Sequence, residues 1–370
     1  MASAPTEIKP DFPFAFPSYD DWLEIARKEL DGANPTEKLT IHKGDLEIQP
    51  FYTAPKNEIE SKPLLKPSPN PYNGSRCWVN TPKITVTDES KANENALDYL
   101  NSGAEGILFD CESPDIKITS LLKNISLTDC SVSFLAHPSS AKWLKEYHHY
   151  VKNNFAKNEI KGNHFWKVNP ENQEGLVSDF SDWPLFYSLG IVVIPNDVAS
   201  EEIAQSLQRA VKLIQEWSAN NIDTTSIINQ ISFSVPVGTD FFLAIAKLKA
   251  LRNLWNQVKG AYNVSVNKAL HIHAQSNAWI NDAYQPHANM IKSTSLAMAA
   301  IAGGCDSLTI NPEDDNQDTM RRIAINVSSI LREESLFSKV ADPTAGSYYI
   351  DSLTDQLSEK AWRKFQLLMK

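Results

Sequence analysis

Two histidines separated by a single residue, His271 and His273, are the side chains best placed for metal chemistry. They lie in the apolar run LHIHAQS, and alternate side chains of a strand point to the same face. Two imidazoles on one face can supply part of a metal site, but such a site needs a third ligand and the sequence identifies none. A packed, hydrogen-bonded pair of imidazoles is the favoured interpretation, and no metal site is predicted.

Polar side chains also follow most of the short apolar runs. If these runs are parallel strands of a barrel, their C-terminal ends are where active-site residues gather. The set is poor in acid–base pairs, and Asp or Asn after a strand commonly caps the next helix. No P-loop, G-x-S-x-G or H-E-x-x-H motif occurs, so the residues by themselves assign no reaction. The strand-end residues are Asp110, Cys111, His137, Asn169, Asn196, Asp197, Pro236, Gln275, Ser276 and Asn311.

The elements that would position these residues alternate regularly from residue 90 onward. Continuous apolar runs are typical of parallel strands covered on both faces. A helical pattern follows each run, and eight such units favour a closed (β/α)8 TIM barrel, an α/β fold. A doubly wound sheet is the alternative, although no glycine-rich dinucleotide turn follows the first run. The eight runs are 106–110, 131–136, 164–168, 191–195, 231–237, 270–276, 307–311 and 347–351.

The N-terminal part of the sequence does not show this regular alternation of strands and helices. An amphipathic helix is predicted over residues 18–32, with Ser18 as its N-cap, and a hairpin around Gly44 follows. A proline-rich stretch, predicted to be extended, leads from the hairpin to the barrel. We therefore predict an N-terminal helix/hairpin arm over residues 1–75 and the barrel over residues 76–370.

Composition excludes several classes of function. A formal net charge of −10 argues against a nucleic-acid partner, because such partners require clustered basic residues. The four cysteines form no C-x-x-C pair and indicate reduced thiols. No apolar stretch is long enough to span a membrane, and the N-terminus does not resemble a signal peptide. A cytoplasmic protein without a membrane partner is predicted.

Three long segments resemble motifs of one enzyme family. The first resembles the "FF-x-E-IAK-x-RA-x-R-x-LW" helix of the methylmalonyl-CoA mutase family, and the other two resemble later stretches of that family in the same order. The N-terminal DWLEIARKELDG and EIQPFYT also look like the opening of that family. The three segments are FFLAIAKLKALRNLWNQV (241–258), HAQSNAWINDAYQPHANMIKSTSLAMAAIAGGCDSL (273–308) and RIAINVSSILREESLFSKVADPTAGSYYIDSLTDQLSEKAW (322–362).

The resemblance implies both a fold and a reaction. Members of the family are isomerases of propionate metabolism that use adenosylcobalamin radicals to convert methylmalonyl-CoA to succinyl-CoA. Their barrel threads CoA along its axis, and a separate flavodoxin-like domain binds cobalamin through a D-x-H-x-x-G histidine. That motif does not occur in this sequence. We therefore expect this chain to bind no cofactor and to lack a cobalamin domain, with adenosylcobalamin bound by a partner subunit.

Three departures from the family pattern concern the chemistry. Lys83 stands where the "W-T-I-R-Q-Y" motif has the tyrosine that covers the corrin ring. Val193 lies in the run that replaces "G-Y-H-M-Q-E-A-G-A-T", so the family's histidine is missing. The arginine of "A-R-G-T-Y", which grips the substrate carboxylate, has no clear counterpart near residues 157–168. No catalytic residue is therefore predicted in this chain.

Four residues still match family positions in the substrate channel. They are His273, Gln275, Asn289 and Lys292, the last in place of an arginine. Without the tyrosine and the histidine, we interpret them as retained scaffold. The resemblance is strongest to the non-catalytic small (β) subunit of a heterodimeric mutase, whose partner is a large cobalamin-binding subunit.

Two alternatives remain open at this stage. The chain could be a catalytic barrel that works with a separate cobalamin-binding subunit, or a barrel repurposed to bind a CoA ester. Bulky strand residues would argue against both if they filled the barrel axis. The candidates for such a plug are Phe134, Phe165, Trp166 and Phe233.

Overall fold

The computed structural model describes most of the chain. The residues described are 18–53, 65–67, 74–137, 141–170, 175–264, 268–276 and 288–370. The chain divides into two compact units, residues 1–60 and 61–370, and each is presented by itself. The predicted boundary between arm and barrel at residue 75 stays a prediction, and most of the proline-rich stretch before it lies outside the described residues.

The first unit contains the predicted helix and hairpin. Ser18 Oγ accepts a hydrogen bond from the Asp21 amide at 3.1 Å, and Asp21 Oδ2 accepts one from the Ser18 amide at 2.8 Å. This capping box satisfies two amides that the first helical turn leaves unpaired. Trp22 stacks on Phe51 with ring centroids 5.1 Å apart. The elements are α1 (Tyr19–Glu29), α2 (Pro35–Leu39), β1 (Ile41–Lys43) and β2 (Leu46–Ile48).

The second unit is built on a parallel sheet. From β4 to β11 the strands follow one another in sequence order, β3 lies next to β11, and every neighbouring pair is parallel. The strands are β3 (Val79–Asn80), β4 (Lys83–Thr85), β5 (Gly106–Asp110), β6 (Ser131–Ala136), β7 (Gly162–Trp166), β8 (Phe186–Val192), β9 (Ile231–Val237), β10 (His271–Ser276) and β11 (Ser307–Thr309).

The sheet closes on itself through its two shortest strands. β3 pairs with β11, β4 pairs with β5, and the two are separated by Thr81 and Pro82. The Thr81 amide donates to Leu308 O at 2.9 Å, and Pro82 O accepts from the Leu108 amide at 3.0 Å. Pro82 has no amide hydrogen and interrupts what is otherwise one strand. Counting β3 and β4 as one strand, the nine strands form a closed eight-stranded barrel, and the predicted (β/α)8 TIM barrel is confirmed.

Helices alternate with the strands around the outside of the barrel. The predicted helices at 240–258 and 317–334 are present with small changes at their ends. The helices are α3 (Glu89–Asn101), α4 (Ile118–Leu121), α5 (Ala141–Asn154), α6 (Gly175–Phe180), α7 (Ala199–Ala219), α8 (Thr224–Gln230), α9 (Phe241–Ala261), α10 (Ala288–Ala302), α11 (Asp318–Glu333) and α12 (Tyr348–Leu368).

One predicted strand, at residues 347–351, is wrong. Ser347 is instead the N-cap of α12, and its hydroxyl accepts a hydrogen bond from the Ile350 amide at 3.4 Å. The strand that completes the barrel spans Val79–Thr85, where the proline and the short apolar pattern gave no clear strand signal. The apolar residues of the 347–351 run fit one face of a helix as well as a strand, because so short a run does not separate the two periods.

A buried ion pair ties two strand ends to the helix layer. Lys247 Nζ on α9 lies 2.6 Å from Glu202 Oε2 on α7, and both side chains are at least nine-tenths buried. Lys247 also donates to Pro236 O, at the end of β9, at 2.7 Å. Glu202 Oε1 accepts from the Asn196 amide, in the loop after β8, at 2.9 Å. The pair therefore holds the C-terminal ends of β8 and β9 in place.

Candidate functional site

The resemblance to the mutase family implies that the ligand would lie along the barrel axis. Strand side chains alternate between the axis and the surrounding helices. Leu108, Leu135 and Phe165 form a buried cluster, and Val192 packs against it. These four side chains come from β5, β6, β7 and β8, so they meet in the interior of the barrel.

Of the four bulky strand residues singled out in the sequence, Phe165 lies in this axial cluster. The ring of Phe134 packs instead against Trp143 of α5, with centroids 5.3 Å apart. Phe233 packs against Trp255 of α9 at 5.5 Å. Trp166, next to Phe165 and on the opposite face of β7, belongs to the large outer cluster. The axis is therefore filled by Phe165, while the other three rings join strands to helices.

A glycine on the next strand makes room for the Phe165 ring. A Cβ atom added to Gly190 would lie 2.4 Å from Phe165 Cδ1 and 2.7 Å from the backbone oxygen of His164. Real Cβ atoms do not approach other heavy atoms so closely. The small residue and the large one are therefore a matched pair across β7 and β8.

We expect Gly190→Ala to lower the free energy of unfolding by about 1–3 kcal/mol, because the new methyl group overpacks the axis against a backbone atom. Urea unfolding of the variant and of the parent chain measures this difference. Gly260→Ala, at a helical position with open space around it, is the control and should not lower stability.

His273 crosses the axis beside Phe165, and the two rings stack with centroids 5.1 Å apart. His273 Nδ1 lies 2.8 Å from Ser234 Oγ, and Nε2 lies 2.9 Å from Thr309 Oγ1. The Thr309 hydroxyl donates to Thr81 O, so it accepts from His273. This assigns the ring proton to Nε2 and leaves Nδ1 to accept from Ser234. Burial, reinforced by the charges of neighbouring residues, lowers the pKa of His273 to about 3.

His271 lies two residues before His273 on β10 and therefore nearer the N-terminal end of the barrel. Its Nε2 lies 2.9 Å from Ser307 Oγ and 3.3 Å from Asn163 Nδ2. Its ring packs against Tyr187 with centroids 5.3 Å apart, and burial lowers the pKa of His271 to about 4. Both imidazoles are thus neutral and held by hydrogen bonds, in agreement with the interpretation of a packed pair.

The two positions that depart from the family pattern lie close to this plug. Lys83 is in register with Leu108 across β4 and β5 and so faces the axis. Its positive charge helps to depress the pKa of His273. The Val193 amide donates to Ser234 O at 2.8 Å, and its side chain is buried. Val192, rather than Val193, is the residue of that run that packs in the axial cluster.

The four predicted channel residues separate into two pairs. His273 and Gln275 share the axial face of β10, and Gln275 is in register with Pro236 and Thr309. Asn289 and Lys292 lie on α10, where Asn289 Nδ2 donates to Glu313 Oε1 at 2.8 Å. The segment between the two pairs, residues 277–287, lies outside the described residues. Whether these residues form a substrate channel stays a prediction.

An ion pair at the mouth of the barrel was not foreseen from the sequence. Lys167 Nζ lies 2.7 Å from Asp110 Oδ1 and 3.4 Å from Glu112 Oε1. Burial is the largest single influence and lowers the pKa of Lys167, but the hydrogen bonds and negative charges of Asp110 and Glu112 together outweigh it and raise the pKa. Asp110 ends β5 and Lys167 directly follows β7, which is a sequence signal for neighbouring positions on the C-terminal rim.

The part of the chain that the structure describes contains neither a cluster of metal ligands nor a helix suited to a membrane. Within those ranges, no group of three or more His, Cys, Asp or Glu side chains is arranged to hold a metal ion. The described helices include none whose length and apolarity suit a membrane span. The axial cluster and the ion pair at the C-terminal rim are therefore the two candidate features within the described residues.

The amino-acid sequence of this chain is similar to those of methylmalonyl-CoA mutases. A family model described as methylmalonyl-CoA mutase matches residues 197–370. The methylmalonyl-CoA mutase small subunit of Porphyromonas gingivalis is 29% identical over 99% of this chain and 64% of its own length. That of Streptomyces virginiae is 26% identical over 96% of this chain and 64% of its own length. The methylmalonyl-CoA mutase of Escherichia coli is 34% identical over 44% of this chain and 23% of its own length.

The matches cover different shares of this chain and of its relatives. This chain spans 64% of the length of each of the two small subunits, which is less than two-thirds, and nearly all of it takes part in the first match. The matched order of segments and the closed barrel agree with one another. The chain is similar to the methylmalonyl-CoA mutase family over residues 197–370, and the relatives it matches along nearly its whole length are small subunits.

Proposed function

We propose that this chain is the small (β) subunit of an adenosylcobalamin-dependent methylmalonyl-CoA mutase, and that it supports a large catalytic subunit without doing the chemistry itself. The observation that carries the proposal is the packing of Phe165 against His273 across the barrel axis. Catalytic members of the family thread CoA along that axis, as the resemblance implies. A chain with a filled axis would contribute structure to the complex rather than a substrate site.

Phe165 and His273, which together we call the plug, are packed on all sides. A ligand could displace them only at a large cost in free energy. Phe165 is in contact with Leu108, Leu135 and Val192, and it is 1% exposed. Both ring nitrogens of His273 are hydrogen-bonded to hydroxyl groups on β9 and β11. Moving these rings aside would empty a packed interior and leave buried polar atoms unpaired, which costs several kcal/mol. This supports a closed axis as the resting state of the protein.

The residues at the family's cofactor-facing position do not fit adenosylcobalamin. Lys83 has a flexible, charged side chain, which cannot reproduce the planar ring that covers the corrin in catalytic members. Val192 and Val193 provide no titratable group where the family has a histidine. We therefore derive no radical step through this chain, and we propose that the large subunit binds the cofactor.

The partner and the compartment are also proposals. Curated relatives bear the name "small subunit", which supports the existence of a second, larger chain in the complex. The acidic composition and the four cysteines, three of them buried, support a cytoplasmic protein that associates with protein rather than with nucleic acid.

Calorimetric titration of the purified chain with methylmalonyl-CoA tests the closed axis. We expect no measurable binding up to about 1 mM ligand, a concentration that corresponds to about 4 kcal/mol of binding free energy. Addition of the large subunit should produce a stable complex on size-exclusion chromatography. Turnover of methylmalonyl-CoA in the complex should then require the large subunit's substrate site alone.

Two results would contradict the proposal. One is turnover of any branched acyl-CoA when this chain is mixed with a cobalamin-binding protein that has no acyl-CoA barrel of its own. The other is tight binding of methylmalonyl-CoA to this chain alone. The first would make the chain a catalytic barrel, and the second would make it a CoA-ester binding protein.

A further inference from the structure

Two histidines are buried outside the barrel axis, between helix α5 and strand β7. His148 of α5 and His164 of β7 lie with their rings parallel, 5.4 Å apart between centroids and 5° between planes. Their exposed fractions are 2% and 0%. His148 is followed in the chain by a second histidine, His149. Adjacent helical residues point about 100° apart, so α5 exposes His149 while it turns His148 toward the barrel.

Aromatic rings surround the pair, and we call this set the aromatic cage. Phe180 of α6 meets His148 edge-on at 4.1 Å, and Phe186 of β8 meets His164 edge-on at 4.8 Å. The remaining members are Phe134 of β6, 5.7 Å from His164, and Tyr147 of α5, 5.8 Å from it. The cage joins β6, β7 and β8 to α5 and α6, so the two imidazoles sit where those five elements meet.

The imidazole nitrogens have few hydrogen-bond partners inside the cage. Among the residues that the structure describes, neither Nδ1 nor Nε2 of His164 has a partner, and His148 Nε2 has none either. His148 Nδ1 lies 3.3 Å from Asp179 Oδ2 of α6. This differs from the axial histidines, since His273 has a hydroxyl within hydrogen-bond distance of each ring nitrogen.

An imidazolium would be poorly tolerated in these surroundings. A protonated ring carries two N–H donors and a positive charge, and His164 has no acceptor or counter-charge within the described residues of the cage. Burial lowers the pKa of His164 well below its ordinary value, and the neighbouring His148 lowers it further. Burial also lowers the pKa of His148, against the opposing effect of Asp179.

The charged groups that face the pair do not change this direction. On α5, Lys152 lies next to Asp179 and disfavours a second positive charge on His148. Asp179, the facing group on α6, forms an ion pair with Lys152 and lies within hydrogen-bond distance of His148 Nδ1. The cage residues from β6 and β8 are phenylalanines and carry no charge, and the Tyr147 hydroxyl remains protonated because burial raises its pKa.

From this arrangement we propose that the stacked His148–His164 pair is an acid-sensitive latch. It fastens helices α5 and α6 to the barrel wall at neutral pH and releases them as the solution becomes acidic. Protonation is possible only when the cage opens, because only then do the rings reach water. Acid therefore favours opening of this sector of the barrel.

The direction and size of the effect follow from linkage. A histidine whose pKa is lower in the closed state contributes no pH dependence above about pH 6.5, and it favours the open state increasingly below that pH. If the closed cage excludes the proton from His164, the opening constant should rise about 30-fold between pH 7.5 and pH 5.0. Any further protonation of His148 would add to this factor.

Hydrogen–deuterium exchange of the full chain, corrected for the pH dependence of intrinsic exchange, measures the opening. The peptide covering α5 (Ala141–Asn154) should show the 30-fold rise, and the peptide covering α9 (Phe241–Ala261) should change by less than about threefold. In His164→Phe, which keeps a ring but does not titrate, the rise in α5 should fall below about fivefold. His149→Phe, on the exposed side of the same helix, is the matched control and should behave as the parent chain.

Several outcomes would overturn the latch. The proposal is wrong if α5 and α9 respond equally to acid, or if His164→Phe keeps the full response. If His164→Phe fails to fold, His164→Gln removes the titration with a smaller polar side chain, and the same comparison applies. A response that begins in the peptides of β10 and β11 would assign acid sensitivity to His271 and His273 instead.

Discussion

Replacement of Lys247 by methionine should lower the free energy of unfolding by about 3–5 kcal/mol, the loss typical of breaking a buried ion pair. The substitution keeps the length of the side chain but leaves Glu202 as a buried charge without its counter-ion 2.6 Å away. It also removes the hydrogen bond to Pro236 O. The loops after β8 and β9 should therefore loosen together. Urea unfolding followed by circular dichroism measures the change.

The ion pair offers two internal controls. Lys142 and Asp115 form an ion pair at 3.2 Å with both side chains about three-quarters exposed. The same change, Lys142→Met, should cost less than about 1 kcal/mol because solvent screens that pair. Adding Glu202→Gln to Lys247→Met should recover part of the loss, since the glutamine removes the uncompensated charge and still accepts from the Asn196 amide. Equal losses at the two lysines, or no recovery in the double variant, would contradict this account.

Truncation of the plug by Phe165→Ala should lower the free energy of unfolding by about 3–5 kcal/mol, as large-to-small changes in cores do. The ring is 1% exposed and contacts aliphatic side chains from three neighbouring strands. Because the barrel wall is continuous, it cannot collapse fully into the space. The variant should therefore contain an apolar cavity on the barrel axis, and benzene should raise its melting temperature, as it does for other dry apolar cavities.

Phe134→Ala provides the matched comparison. Phe134 is as buried as Phe165, but its ring packs against α5 outside the barrel. The two variants should lose similar stability, yet only Phe165→Ala should open the axis. Phe165→Ala is not expected to gain mutase activity, because Lys83 and the valines after β8 remain. If benzene does not raise the melting temperature of Phe165→Ala, the barrel axis closes around the missing ring. Phe165 would then not be the barrier that we infer.

Much of the fold could be predicted because parallel strands of a barrel are apolar on both faces. The runs at 106–110, 131–136 and 231–237 match β5, β6 and β9 residue for residue. The first strand was missed because Pro82 splits it and its residues are mixed in polarity. The run at 347–351 was wrongly predicted as a strand, since five residues fit either period and Ser347 serves equally well as a helix cap.

The candidate site was less predictable than the fold. A two-residue period indicates that Phe165 and Trp166 face opposite sides of β7, but it does not indicate which side is the axis. That choice follows from barrel closure and from the helix that covers each strand. The same applies to His148 and His149, where the sequence predicts opposite directions and only packing decides which one is buried.

The sequence by itself indicated the resemblance to the family and most of the β/α units, and it predicted the loss of the catalytic side chains. Each of these depends on residue type and spacing along the chain. The tertiary structure alone decided that Phe165 and His273 close the axis and that His148 stacks on His164 inside an aromatic cage. Phe165 and His273 are 108 positions apart in the sequence, and His148 and His164 are 16 positions apart. Local sequence patterns carry no information about contacts between such distant residues.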